Sequence, residues 1–342
     1  MGPVLAFVLV VAAFALLAPY LTRRDIFCGV TVAPGFRDGP VGRRVARRYA
    51  FEVWTLAAVI CLLVATSTSP ELSAPVTLTQ TLGASVAFAI ARSRVLPHAA
   101  VPSAVREAEI APRPSLPGGP LAQAGPFLIL LASAVYLGLH WDDIPARFPT
   151  HWNLAGRPNG WTDKSVIGVF RGVWIGLVAC GAACAISLAV LHRARLPRVT
   201  GEDGRHYRRV RQVNLLTMLA SSYTVALLLG WTAVGATFAN DGDGRELPLL
   251  LRLAPFVIAI VGTTTVLRLR VNARLEGGAP IGDTTPDANW LWGQIYFNRA
   301  DPAILVEKRM GLGYTLNFGN HRAWLALIVF VAAITLPLFL GA

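Results

Sequence analysis

WDDIPARFPTHWNLAGRPNGWTDKS, residues 141–165, lies between two long apolar runs, 121–140 and 166–191. Three Trp (Trp141, Trp152, Trp161), three Pro (Pro145, Pro149, Pro158) and two Gly (Gly156, Gly160) punctuate it. Pro fixes φ and removes a backbone donor, and Gly opens φ > 0, so the stretch reads as an ordered series of turns. Indole rings are favoured at headgroup depth. The stretch is therefore expected to be a membrane-anchored outer loop that presents His151, Asn153 and Lys164.

Outward from this loop, composition points the same way. The 342 residues are 54% hydrophobic and 15% charged, where a soluble chain would carry roughly a quarter charged. Apolar runs long enough to cross a hydrocarbon core recur along the chain. They predict eight spans, at about 2–21, 50–68, 74–90, 121–140, 166–191, 213–239, 249–267 and 323–342. The first run has Arg23 and Arg24 behind it and no basic residue ahead, the reverse of a secretory signal.

Charge sets the orientation. Of the 31 basic residues, all but Lys164 and Lys308 are Arg. Twenty-five fall in the connectors after spans one, three, five and seven, and six on the opposite side. Basic residues stay cytoplasmic, so the expected fold is an all-α polytopic protein of the cell membrane, N-out and C-out. A small cytoplasmic segment containing a β-hairpin precedes the last helix. The implied regions are 1–120, 121–192 around the outer loop, 193–270, 271–322 in the cytoplasm, and the last helix, 323–342. The +12 net charge is thus accounted for by topology and anionic lipid rather than nucleic acid. The four Cys lie outside the outer loops and imply no disulfide framework.

Little in the chain suggests catalysis. The spans hold almost no ionisable groups; Glu52 and Arg268 sit at their ends. Polar positions inside spans are Gln80, Asn214, residues 221–224 and residues 263–265. Such hydroxyls either bond backbone carbonyls and neighbouring helices or line a path. No metallohydrolase, nucleophile-elbow or P-loop motif is present, and Gly311–Gly313 is no dinucleotide fingerprint. No reaction, cofactor or metal is assigned. His151 with Asp142, Asp143 and Asp163 is a weak metal pattern; the plainer reading has His151 and Asn153 tying the turn by side-chain bonds to backbone.

The loop also carries a resemblance. Ile144, Pro145, His151, Asn153, Gly156, Gly160, Trp161 and Lys164 match the Ile-Pro, His-x-Asn-x-x-Gly, Gly-aromatic and Lys signature of a bacterial membrane domain of unknown function. That domain occurs in SdpI-like proteins, relatives of the immunity protein of the sporulation-delaying toxin system. Residues 24–32 (RDIFCGVTV) resemble the entry loop of these proteins, with Phe27 and Gly29 as anchors. A second small domain of unknown function is resembled by residues 289–320, through Trp290, Gly293, Tyr296, Asn298, Asp301, Pro302, Gly313 and the run 314–318 with Asn317. Within it, residues 304–307 and 314–318 are β-prone runs around a Gly-containing turn, a predicted hairpin whose aromatics face the inner membrane surface. The resemblance implies sensing of, or immunity to, an extracellular peptide or envelope stress. The outer loop would be the contact surface and Trp290, Gly293, Tyr296, Asn298, Asp301, Gly313 and Asn317 the docking site for a cytoplasmic regulator. The alternative is a transporter or lipid-handling protein.

Overall fold

The structure, a computed structural model, describes residues 2–22, 25–33, 35–66, 73–100, 115–152, 158–193, 201–238, 262–263, 265–267, 269, 285–310 and 313–340. Helices dominate: α1 (Gly2–Leu21), α2 (Pro40–Thr66), α3 (Ser73–Val95), α4 (Gly119–Leu139), α5 (Val166–Arg193), α6 (Gly201–Thr237) and α7 (His321–Leu340). Among the described residues α1, α2, α4, α5 and α6 contain stretches long and apolar enough to cross a membrane. The expected span at 249–267 lies almost wholly outside the described residues.

Several helices outrun their apolar stretch. The sequence starts span two near residue 50, ends span three near 90 and starts span six at 213, whereas the helices begin at Pro40, end at Val95 and begin at Gly201. Hydropathy marks the part of a helix that lipid can solvate; the helix itself continues wherever i→i−4 bonding is unbroken. Pro40 supplies a natural first-turn residue for α2.

The chain divides into two compact units: residues 1–111, 194–211 and 265–323, and residues 112–193, 212–264 and 324–342. In the first, α1, α2 and α3 pack on one another through Val4, Val8, Ala12 and Ala15 of α1, a stripe from Val45 to Val64 of α2, and Ala84, Ala87, Phe88 and Ala91 of α3. The small residues allow close backbone approach. Tyr49 donates its hydroxyl proton to Ala15 O at 2.9 Å. Near the end of α3, Arg94 meets Glu52 of α2 at 2.6 Å. The entry loop forms a tiny antiparallel pair, β1 (Ile26–Phe27) with β2 (Val30–Thr31), and Val32 bridges Ala99 just past α3.

In the second unit Gly125 of α4 receives the Tyr223 ring of α6, and any Cβ there would overlap it. Tyr223 donates to Ala122 O, Ser222 to Met218 O and Thr224 to Ala220 O. These hydroxyls are thus bonded to backbone.

The stretch 141–165, read above as turns, is instead a hairpin: β3 (Arg147–Trp152) pairs antiparallel with β4 (Pro158–Asp163), with irregular register around His151. The two prolines that argue against a strand are accommodated at this irregular edge, where ladder bonds are already missing. Residues 285–320 form two further pairs, β5 (Trp290–Leu291) with β6 (Ile295–Tyr296) and β7 (Leu305–Glu307) with β8 (Tyr314–Leu316). The second is the hairpin expected from the sequence.

Candidate functional site

The β3–β4 hairpin is anchored from below. Ile144 and Phe148 are buried with Leu137 of α4 and Val169 and Val173 of α5. Trp141 stacks on Phe170 with ring centroids 6.3 Å apart. Ser165 caps α5 by accepting from Gly168 N at 3.0 Å. Above this base the polar signature residues turn outward. Lys164 Nζ lies 5.3 Å from the Trp141 ring and the Arg147 guanidinium 6.0 Å from Trp161, both cation–π distances. His151 is exposed and hydrogen-bonds Asn159 Oδ1. Gly160 lies opposite His151, where a Cβ would come 2.9 Å from His151 Cβ. Asn153 and Gly156 fall outside the described residues. His151, Gly160 and Trp161 therefore stand on one braced hairpin with Lys164 just past its second strand; Gly160 and Trp161, consecutive in β4, project to opposite faces of it. Among the described residues no three His, Cys, Asp or Glu side chains converge as a metal site.

The C-terminal signature residues occupy a different setting. Tyr296 and Asn317 are fully buried. Asn317 Nδ2 donates to the carbonyls of Asn298, Asp301 and Ala303, and its Oδ1 accepts from Asn298 N and Gly319 N. Tyr296 Oη donates to Asp301 Oδ2 at 3.0 Å and accepts from Asn298 Nδ2; burial raises its pKa. Gly313, at φ +90°, accepts from Lys308 N and closes the β7–β8 hairpin. Asn320 then caps α7, accepting from Arg322 N at 2.9 Å. Most of these residues bind the segment to itself.

Trp290 and Gly293 face elsewhere, toward a cluster that sequence reasoning missed. Arg92 of α3 donates to Gly29 O and, at 2.8 Å, to Asp287 O. Arg309, only 1% exposed, pairs with the Asp287 carboxylate, donates to Gly29 O and Thr285 O, and covers the Trp290 ring at 5.4 Å. Asp287 also accepts from Thr31 N and Thr31 Oγ1. Gly29 and Gly293 meet back to back at φ +74° and +73°, and a Cβ on Gly29 would stand 3.0 Å from Gly293 Cα. Only glycine tolerates both that dihedral and that approach. The entry loop, the end of α3 and residues 285–310 thus form one clamp across some 250 residues of chain. Beside it Cys28 is buried, and burial pushes its thiol up to about 12, so it stays protonated at neutral pH. The one available signal was Arg92 itself, an arginine two residues beyond the expected end of a span.

Comparison with known proteins covers only parts of the chain. Residues 128–172 match a domain of unknown function (DUF1648), which takes in the β3–β4 hairpin with parts of α4 and α5. Residues 299–324 match a family of unknown function (DUF5808). No curated protein matches the chain, and no solved structure does. What these findings establish is a membrane-type protein that joins two segments of unassigned function.

Proposed function

We propose that this is an SdpI-like multi-pass protein of the cell membrane that senses, or gives immunity to, an extracellular peptide or envelope stress through the β3–β4 hairpin. The observation that carries the reading is that an exposed His151 and a half-exposed Trp161 stand on a hairpin braced by α4 and α5. A rigid aromatic and cationic surface binds peptides at low entropic cost. The clamp that joins the entry loop to residues 285–310 would serve as the relay to a cytoplasmic regulator.

Sidedness supports the eight-span arrangement. Thr31 bonds Asp287, and Val32 bridges Ala99, so residues 31, 99 and 287 share one side of the membrane. Three crossings, α4, α5 and α6, separate residue 99 from residue 237. Return to the starting side by residue 287 requires a further odd number, which matches the apolar run 249–267. The basic connectors would then be cytoplasmic and the hairpin outside.

The test is survival of cells that depend on the protein, challenged with peptide toxins or envelope-active agents. Trp161→Ala combined with His151→Ala is expected to lower survival about tenfold at unchanged membrane abundance; the same loss is expected for Lys164→Ala. Equal survival at equal abundance rejects the reading.

One observation favours the transporter reading as a second candidate. The amides of Gln80 and Asn214, both buried within helices, hydrogen-bond no described residue. An unpaired buried amide costs about 1–3 kcal/mol, a cost tolerated where a polar solute passes. Gln80→Leu and Asn214→Leu should then slow swelling of proteoliposomes in glycerol or amino-acid gradients severalfold. If swelling equals that of protein-free vesicles before any substitution, transport of these solutes is rejected.

A further inference from the structure

The turn between β5 and β6 combines strain, exposure and an unexpected position. Gln294 N donates to Leu291 O across Trp292 and Gly293, which stand at φ +52° and +73°. A tight turn with two left-handed central residues normally carries Asn-Gly, and a bulky side chain at the first place is strained. Here Trp292 takes that place and is 66% exposed, with Leu291 beside it 51% exposed.

Its position follows from α3. A Cβ on Gly293 would contact Arg92 Cδ and Phe88 Cε1, and Gln294 Nε2 donates to Ser85 O at 3.1 Å. Phe88 and Ser85 lie six and nine residues before Arg94, hence about 9 and 13 Å along the helix from it. Arg94 pairs with Glu52, and from there inward α2 and α3 carry no charge except Arg92, two residues away and held by the clamp. On the eight-span reading, in which α3 as well as α2 crosses the bilayer, that level is where their membrane-spanning parts begin. Leu291 and Trp292 therefore sit just below the edge of the apolar zone, a depth at which an interfacial side chain reaches the headgroup–acyl boundary.

We propose that this turn is a lipid-inserting wedge, with Trp292 and Leu291 seated among the acyl chains at the cytoplasmic face of the bilayer. Tryptophan is enriched at the membrane–water interface, and Trp292 presents most of its surface outward. The wedge would tie the C-terminal segment to the membrane independently of α7, so that lipid packing bears directly on the Arg92–Asp287–Arg309 clamp. The inference rests on the membrane-spanning reading of α2 and α3.

The experiment is tryptophan fluorescence of the full chain in phosphatidylcholine–phosphatidylglycerol vesicles, with and without acyl-chain bromination. Subtracting W292F from wild type isolates Trp292; subtracting W231F isolates Trp231, exposed on the apolar part of α6. The Trp292 component is expected to be quenched at least twofold by brominated lipid and less by aqueous iodide. Stronger quenching by iodide than by brominated lipid overturns the wedge if Trp231 is still quenched by lipid. If Trp231 also escapes brominated lipid, the membrane reading itself fails. L291W offers the same readout as a gained signal should W292F not fold.

Discussion

Asp287→Ala is expected to undo the clamp, at a cost of roughly 3–5 kcal/mol, the range found when one partner of a buried ion pair is removed. The carboxylate pairs with the Arg309 guanidinium, while Arg92 donates to the Asp287 backbone carbonyl and feels the carboxylate's charge at longer range; the two arginines are 1% and 5% exposed. Without it, Arg309 loses its carboxylate partner close to a second buried cation, Arg92, and Thr31 loses its acceptor for both N–H and hydroxyl. The entry loop would then separate from residues 285–310. Cys28 reports this directly. In the wild type it is buried and its thiol is held protonated, up to about 12, so maleimide at neutral pH should leave it unmodified. In the variant, mass spectrometry should find residue 28 alkylated at least tenfold faster. Asp287→Asn, which keeps the acceptor but not the charge, should lie between the two. Unchanged protection of Cys28 in Asp287→Ala would show that the clamp contributes little to docking.

Asn317→Ala should be nearly as damaging, for a different reason. The amide is fully buried and serves three carbonyls and two backbone N–H groups. Alanine leaves several of them unpaired at about 1–3 kcal/mol each, so a loss on the order of 4 kcal/mol is expected. Asn317→Asp should not rescue it, because the new oxygen cannot donate to the carbonyls of Asn298, Asp301 and Ala303. The measurement is the proteolytic half-life of residues 285–320 in detergent, read beside the melting of the helical signal. Selective loss of the segment with the helices intact is the expected pattern. Equal resistance of variant and wild type would mean that the hydrogen-bond network is dispensable.

Both predictions concern residues whose importance was unequally legible. Asn317 was marked in the sequence as part of a motif, and its β-prone neighbours foretold the β7–β8 hairpin. Arg92, Asp287 and Arg309 were not marked at all. An arginine in a basic connector looks the same whether it meets a phosphate headgroup or a carboxylate, and no periodicity links residues 195 apart in the chain. The β3–β4 hairpin fell between these cases. Its anchoring by Trp141 and its outward His151 followed from the residue types, but Pro149 and Pro158 concealed the strand pairing.

What the sequence determined by itself is the helical, membrane-type character of the chain and the place of its apolar stretches. A hydrocarbon solvent acts on each segment separately, so twenty apolar residues carry that information alone. What only the tertiary structure decided is the joining of the entry loop to residues 285–310 and the seating of the Trp292 turn against Ser85 and Phe88 of α3. Those depend on which distant charges and glycines come into register, and that is a property of the packed chain rather than of any one segment.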